Sequence, residues 1–222
     1  MTAQKSYLIA YNAFSFLLWS HLTFYTATHV PEAYKQSRLA ELYTDILPLL
    51  SVTQTLALLE VVHAALGLVR ASPAATALQI GGKNLVVWTV MVKFPEIITG
   101  NHLGTAAFFG CVLAWGCSEI IRYGFFVVQL TTGDTPSWLK GLRYNAFLPL
   151  YPIGLVSEAV LVYLALTEGT GVGQFYKAYL LLGLLTYLPV CIGMRDLFGR
   201  YEKPVRGIVG KECAPSVRIP TT

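Results

Sequence analysis

A chain of 222 residues that is 55% hydrophobic and 13% charged carries about half the charge of an ordinary soluble domain. That composition, with a mean hydropathy of +0.55, excludes a soluble protein and describes a polytopic membrane protein. The net charge of +4 is too small and too scattered for a nucleic-acid-binding surface, so no nucleic acid is expected as a partner.

A membrane-spanning helix needs about 20 mostly apolar residues, and six segments qualify. The predicted fold is therefore all-α, with six transmembrane helices in a bundle and residues 1–222 forming a single integral membrane domain. The first span covers about 7–27; its apolar run has no small-residue cleavage site, so it reads as an uncleaved helix rather than a signal peptide. The second covers about 46–69. The third, about 73–92, opens with Ser72 as a helix cap and Pro73 at the first helical position. The fourth covers about 104–130, the fifth about 148–167 and the sixth about 176–198, leaving 199–222 as a tail. The stretches THVPEAYKQSRLAELYTD, FPEIITGN, TTGDTPSWLKG and EGTGVGQ read as connections. GTGVG within the last of these is a flexible turn, since it opens no nucleotide-binding unit.

Basic residues orient the bundle. Eleven lysines and arginines, six of them in the last 28 residues, fall on the side of the termini, while Lys35, Arg38, Lys93 and Lys177 fall on the other. The positive-inside rule then puts both termini in the cytoplasm.

Polar residues inside the spans mark the functional face. In LEVVHAALGLVR, the spacing of Glu60, His63, Gly67 and Arg70 predicts one helix face. His63 is expected to be a satisfied interior histidine, and Arg70 either snorkels to headgroups or serves the site. In WGCSEIIRYGFF, Glu119 can meet Arg122 at i+3 and Tyr123 at i+4; simple mutual neutralisation would account for the first pair. Thr76, Gln79 and Lys83 share a face on the third span, and Tyr11, Asn12, Ser15 and Trp19 lie on the first. The cysteines, Cys111, Cys117, Cys191 and Cys213, form no C-x-x-C pair, and no metal site is expected.

Glu158 differs from these because no basic residue lies within two turns of it along the chain. An ionisable group in hydrocarbon is costly and is a functional candidate by default. Tyr144, Tyr151 and Glu158 recur every seven residues, nearly the same helix face, although Pro149 and Pro152 imply a kinked entry or a helix that starts there. A tyrosine and a carboxyl flanking one small site form an acid/base pair.

Three strings, LEVVHAALGLVRASPAATALQ, WGCSEIIRYGFF and LRYNAFLPLYPIGLVSE, resemble signature blocks of the very-long-chain (3R)-3-hydroxyacyl-CoA dehydratases, a family once called protein-tyrosine-phosphatase-like A. The resemblance runs from about Tyr7 to Lys211. It implies a six-span lyase of the endoplasmic reticulum membrane with cytoplasmic termini. Such an enzyme eliminates water from 3-hydroxyacyl-CoA to give trans-2-enoyl-CoA, the third step of fatty-acid elongation. The family's catalytic tyrosine and glutamate fall on Tyr151 and Glu158, and its polar positions on Glu60, Arg70, Glu119, Arg122, Tyr123, Arg143 and Gly154. Where members read Q-V-x-S-R, this chain reads Q-I-G-G-K, so Lys83 keeps the charge without the guanidinium fork.

The resemblance implies no cofactor beyond the CoA carried by the substrate. It implies membrane lipid, a condensing elongase, a ketoacyl-CoA reductase and an enoyl-CoA reductase as partners. Arg70, Lys83, Lys140, Arg143 and Arg195 are candidates for the CoA phosphates, and Arg143, Tyr144 or freed backbone N–H groups for the thioester. A tyrosine phosphatase is excluded, because Ala64 stands where its nucleophilic cysteine would follow His63. The alternative is a non-catalytic membrane scaffold on the same fold. A proton-coupled transporter is the third reading, but no pair of broken helices in matching halves supports it.

Overall fold

The computed structural model describes residues 3–185. The chain divides into two compact units, Met1–Leu180 and Leu181–Thr222, and the site lies wholly in the first. Among the described residues every regular element is helical. These are α1 (Ala3–Lys35), α2 (Leu39–Leu56), α3 (Leu59–Ala65), α4 (Pro73–Val86), α5 (Glu96–Thr99), α6 (His102–Thr132) and α7 (Ser137–Glu168). A π-helical turn, Val87–Met91, extends α4, and a last helix, α8, is described over 174–185.

Three described segments are long and apolar enough to cross a membrane: Leu39–Ala65, His102–Thr132 and Ser137–Glu168. They match the second, fourth and fifth expected spans. α1 has the length, 33 residues, but carries tyrosines, threonines and histidines throughout. The sixth expected span, 176–198, runs past the described residues.

The helices are longer than hydropathy suggested. The expected connection over 28–45 shrinks to a turn at Gln36-Ser37-Arg38, where Ser37 takes φ 56°. The reason is that α2 begins with an amphipathic turn: Leu42, Tyr43 and Ile46 are buried while polar neighbours face out. FPEIITGN likewise contains α5, whose Ile97 and Ile98 are buried.

The fifth span neither starts nor stops at its prolines. α7 begins at Ser137, and Pro149 and Pro152 lie inside it, so the carbonyls of Asn145 and Leu148 lose their helical donors; the prolines free acceptors, not the backbone N–H groups expected for the thioester. Ser72 caps α4 as expected, accepting from the Ala75 N–H with Pro73 at the first position.

Small residues set the packing around α6. Gly116 lies against Thr23 of α1, and Gly110 and Gly104 lie against Ser157 and Leu164 of α7. As numbers rise along α6 they fall along α7, an antiparallel hairpin closed by Gly133, whose φ of 81° ends α6. Close backbone approach of this kind substitutes for the hydrophobic effect where lipid surrounds the bundle. The π-helical turn leaves carbonyls for other helices: Tyr43 donates to Met91 O at 2.6 Å and Tyr176 donates to Thr89 O.

Candidate active site

Two helices carry most of the polar side chains. α7 presents Tyr151, Gly154 and Glu158 at i, i+3 and i+7, and α6 presents Trp115, Glu119, Arg122 and Tyr123 at i, i+4, i+7 and i+8. Each set is one face of its helix. The hairpin brings the two faces together: the Trp115 indole N–H donates to Glu158 Oε1 at 2.8 Å. Gly154 packs beside the same ring, since a Cβ there would lie 3.6 Å from Trp115 Cδ1. Tyr151 is half-buried, its ring stacked on Phe147 with centroids 4.5 Å apart. Tyr144, two turns further, is 69% exposed.

Behind Trp115 runs a network of four charges. Lys83 of α4 sits 5.3 Å from the indole centroid and donates to Glu119 Oε1 at 2.8 Å. Arg122 donates through Nε to Glu119 Oε2 at 2.6 Å and through both terminal nitrogens to Glu60 of α3, at 2.5 and 2.8 Å. Tyr123 donates to Glu60 Oε1 at 2.5 Å. Two carboxylates and two cations thus neutralise one another across three helices, which is how ionised groups persist in apolar surroundings.

The expected Glu119–Arg122 pair is present, but intrahelical neutralisation is only part of it, because Glu60 and Lys83 complete the set. The Tyr123 hydroxyl goes to Glu60 rather than to its own-helix neighbour Glu119. His63 is buried and shares a 2.8 Å hydrogen bond with the Tyr7 hydroxyl, a satisfied interior histidine as anticipated. Tyr11 lies edge-on to His63 and donates to Leu56 O, and Asn12, Ser15 and Trp19 are buried on the same helix.

The expected single face from Glu60 to Arg70 is not formed. α3 ends at Ala65, Gly67 adopts φ 68°, and Leu68 N–H returns to His63 O, so Arg70 lies beyond the turn and exposed. Arg143 rests its guanidinium over Phe125 and Phe126, 4.2 and 4.8 Å from their centroids. Lys140 pairs with Asp134 at 3.2 Å. Thr76 and Lys83 share α4 with Gln79, which is exposed. Arg195, Cys191 and Cys213 lie outside the described residues. Among the described residues no grouping of His, Cys, Asp and Glu could hold a metal ion.

Trp115 is the site residue that sequence reasoning left without a role. Its signal was present: it stands four residues before Glu119 and eight before Tyr123, on the polar stripe of α6.

Comparison with known proteins covers these positions. The family model described as "Protein tyrosine phosphatase-like protein, PTPLA" matches residues 54–198, which include every member of the charge network together with Trp115, Tyr151 and Glu158. The chain is 37% identical over 163 residues to very-long-chain (3R)-3-hydroxyacyl-CoA dehydratase PASTICCINO 2 of Arabidopsis thaliana, covering 73% of this chain and 70% of that one. It is 38% identical over 156 residues to a probable very-long-chain (3R)-3-hydroxyacyl-CoA dehydratase of Schizosaccharomyces pombe, covering 70% and 71%. Against very-long-chain (3R)-3-hydroxyacyl-CoA dehydratase 2 of Homo sapiens it is 30% identical over 199 residues, covering 83% and 74%. No solved structure matches the chain.

Proposed function

The chain belongs to the protein tyrosine phosphatase-like (PTPLA) family, and from that premise we propose that it is a very-long-chain (3R)-3-hydroxyacyl-CoA dehydratase. The reaction removes the proton alpha to the thioester and expels the beta hydroxyl as water, giving trans-2-enoyl-CoA. The family's name notwithstanding, phosphatase chemistry has no nucleophile here, with Ala64 after His63.

The observation that carries this reading is the carboxyl of Glu158, held by the Trp115 indole on the helix face it shares with Tyr151. Glu158, as the carboxylate, takes the alpha proton. The same proton then passes to the departing hydroxyl as the carbon–oxygen bond breaks, so water leaves and the carboxylate is restored. Tyr151 donates a hydrogen bond to the thioester oxygen, where negative charge develops as the alpha proton leaves. Gly154, between them on the face, packs against the Trp115 ring that holds Glu158. Lipid-facing apolar spans offer the acyl chain an environment like its own.

In the same reading the bundle has six spans with both termini in the cytoplasm, supported by the asymmetry of basic residues. α1, at 33 residues, is about 50 Å long, enough to cross a hydrocarbon core. The membrane is that of the endoplasmic reticulum, and the neighbours are the condensing elongase, ketoacyl-CoA reductase and enoyl-CoA reductase. Arg70, exposed beyond the α3 turn, and Arg143 contact the CoA portion, and no further cofactor takes part.

The test is turnover of purified protein with a (3R)-3-hydroxyacyl-CoA, following the enoyl product. Tyr151→Phe and Glu158→Gln, each shown to be folded, are expected to lose about 10²- to 10⁴-fold in kcat. Full turnover in either variant would remove that residue from the mechanism.

A further inference from the structure

We infer that Trp115 is a positioning residue for Glu158, one that fixes which carboxyl oxygen carries the proton. This rests on the reading that Glu158 is the proton carrier. Tryptophan can only donate, through Nε1–H, and here it donates to Glu158 Oε1 at 2.8 Å. When Glu158 is ionised, that bond fixes the plane of the carboxylate and stabilises the charge on Oε1. After a proton arrives, the protonated oxygen becomes the weaker acceptor and the carbonyl oxygen the stronger one. Oε1 therefore remains the acceptor only if the proton sits on Oε2. The indole bond survives both halves of the cycle and confines proton traffic to one oxygen.

The surroundings of the ring support this role. Lys83 Nζ lies over the indole, 5.3 Å from its centroid, and is held there by Glu119 at 2.8 Å. A cation on the ring face draws electron density from it, which makes the N–H a better donor. On the α7 side, Gly154 packs against the ring, and a methyl group there would lie at ordinary contact distance, 3.7 Å from Nε1. Trp115 itself is 3% exposed, and its orientation is set by packing rather than by solvent. The charge network therefore reaches the proposed proton carrier through one aromatic ring.

The experiment compares the full-length enzyme in detergent with two replacements. Trp115→Phe keeps an aromatic ring and loses the donor. Benzothienylalanine at position 115 keeps the indole shape with sulfur in place of N–H, and serves if phenylalanine destabilises the bundle. In both, kcat is expected to fall about 10-fold or more, the usual consequence of losing a hydrogen bond to a charged group. KM is expected to stay within about twofold, since substrate binding is not addressed. Benzothienylalanine also separates positioning from packing, because a merely structural tryptophan would tolerate it with wild-type turnover. Glu158→Gln is measured alongside. If Glu158→Gln is inactive and either folded replacement keeps full kcat, or only KM rises, the role of Trp115 is refuted while the Glu158 reading stands. If Glu158→Gln turns over at the wild-type rate, both fall together.

Discussion

The charge network makes a quantitative prediction through Arg122. Its guanidinium is shared between Glu119 and Glu60, and among the described carboxylates Lys83 pairs with Glu119. Arg122→Met leaves Glu60 facing Tyr123 alone, with two carboxylates balanced by one ammonium. Breaking a buried pair by removing one partner costs about 3–5 kcal/mol, a large part of the roughly 5–15 kcal/mol that holds a typical domain folded. Adding Glu60→Gln restores neutrality, because Lys83 and Glu119 remain as a pair. The double variant is therefore expected to be more stable than Arg122→Met alone, with a coupling of about 1–3 kcal/mol. Unfolding by titration with a denaturing detergent in mixed micelles measures all three variants. A single-variant cost below about 1 kcal/mol, the range of a solvent-screened surface pair, would refute the argument. So would a double variant whose loss equals the sum of the two single losses.

Two glycines on the hairpin faces should behave oppositely. At Gly116 a Cβ would run into Thr23 Oγ1, so Gly116→Ala is expected to destabilise the α1–α6 contact by about 1–3 kcal/mol, read from the same unfolding titration. At Gly154 the nearest atoms are at ordinary contact distance, so Gly154→Ala should keep its stability within about 0.5 kcal/mol yet raise KM, because the methyl occupies the face between Tyr151 and Glu158. Unchanged steady-state kinetics in Gly154→Ala would show that the substrate lies elsewhere. Outside the spans, partial burial pushes the Glu96 carboxyl up, but its own backbone N–H and the N–H and hydroxyl of Thr170 outweigh that and hold it below its ordinary 4.5. A depressed carboxyl stabilises above its unfolded value and loses that contribution as pH falls through the folded one. Hydrogen exchange at the Thr170 amide should thus be slower in wild type than in Glu96→Gln at neutral pH, and the difference should vanish as the medium is acidified through the carboxylate range. A difference that persists at acid pH would count against the Glu96 bond as its source.

The sequence made the helices and the proposed acid/base pair legible because both depend on local pattern. Apolar runs located three helices long enough to span, the second, fourth and fifth expected, and the seven-residue recurrence placed Tyr151 and Glu158 on one face. Boundaries were less legible, for a physical reason: hydropathy averages a window, whereas a helix continues into polar sequence wherever alternate turns are buried. Tyr43, 1% exposed, sits in a stretch that reads as a loop, and its hydroxyl finds the Met91 carbonyl 48 residues away. Partners were the least legible. Glu60 and Arg122, 62 residues apart, can be matched only when the bundle closes, and local spacing pointed Tyr123 at Glu119 instead. The continuity of Glu60 with Arg70 failed at one glycine, Gly67, whose left-handed backbone ends α3.

At position 83, where the resembled family string carries arginine, this chain places a lysine inside the charge network. A planar fork has a single orientation that satisfies two oxygens, and in this bundle that geometry is already taken by Arg122 against Glu60. On Glu119 the two cations divide the carboxylate, Arg122 on Oε2 and the residue at position 83 on Oε1. Lysine instead brings a compact charge on a flexible stem, able to donate one strong bond to Glu119 Oε1 and still lie over the face of Trp115. The ammonium donates to the first and polarises the second. Lys83 is thus where the neutralised network of α3, α4 and α6 meets the ring that holds Glu158.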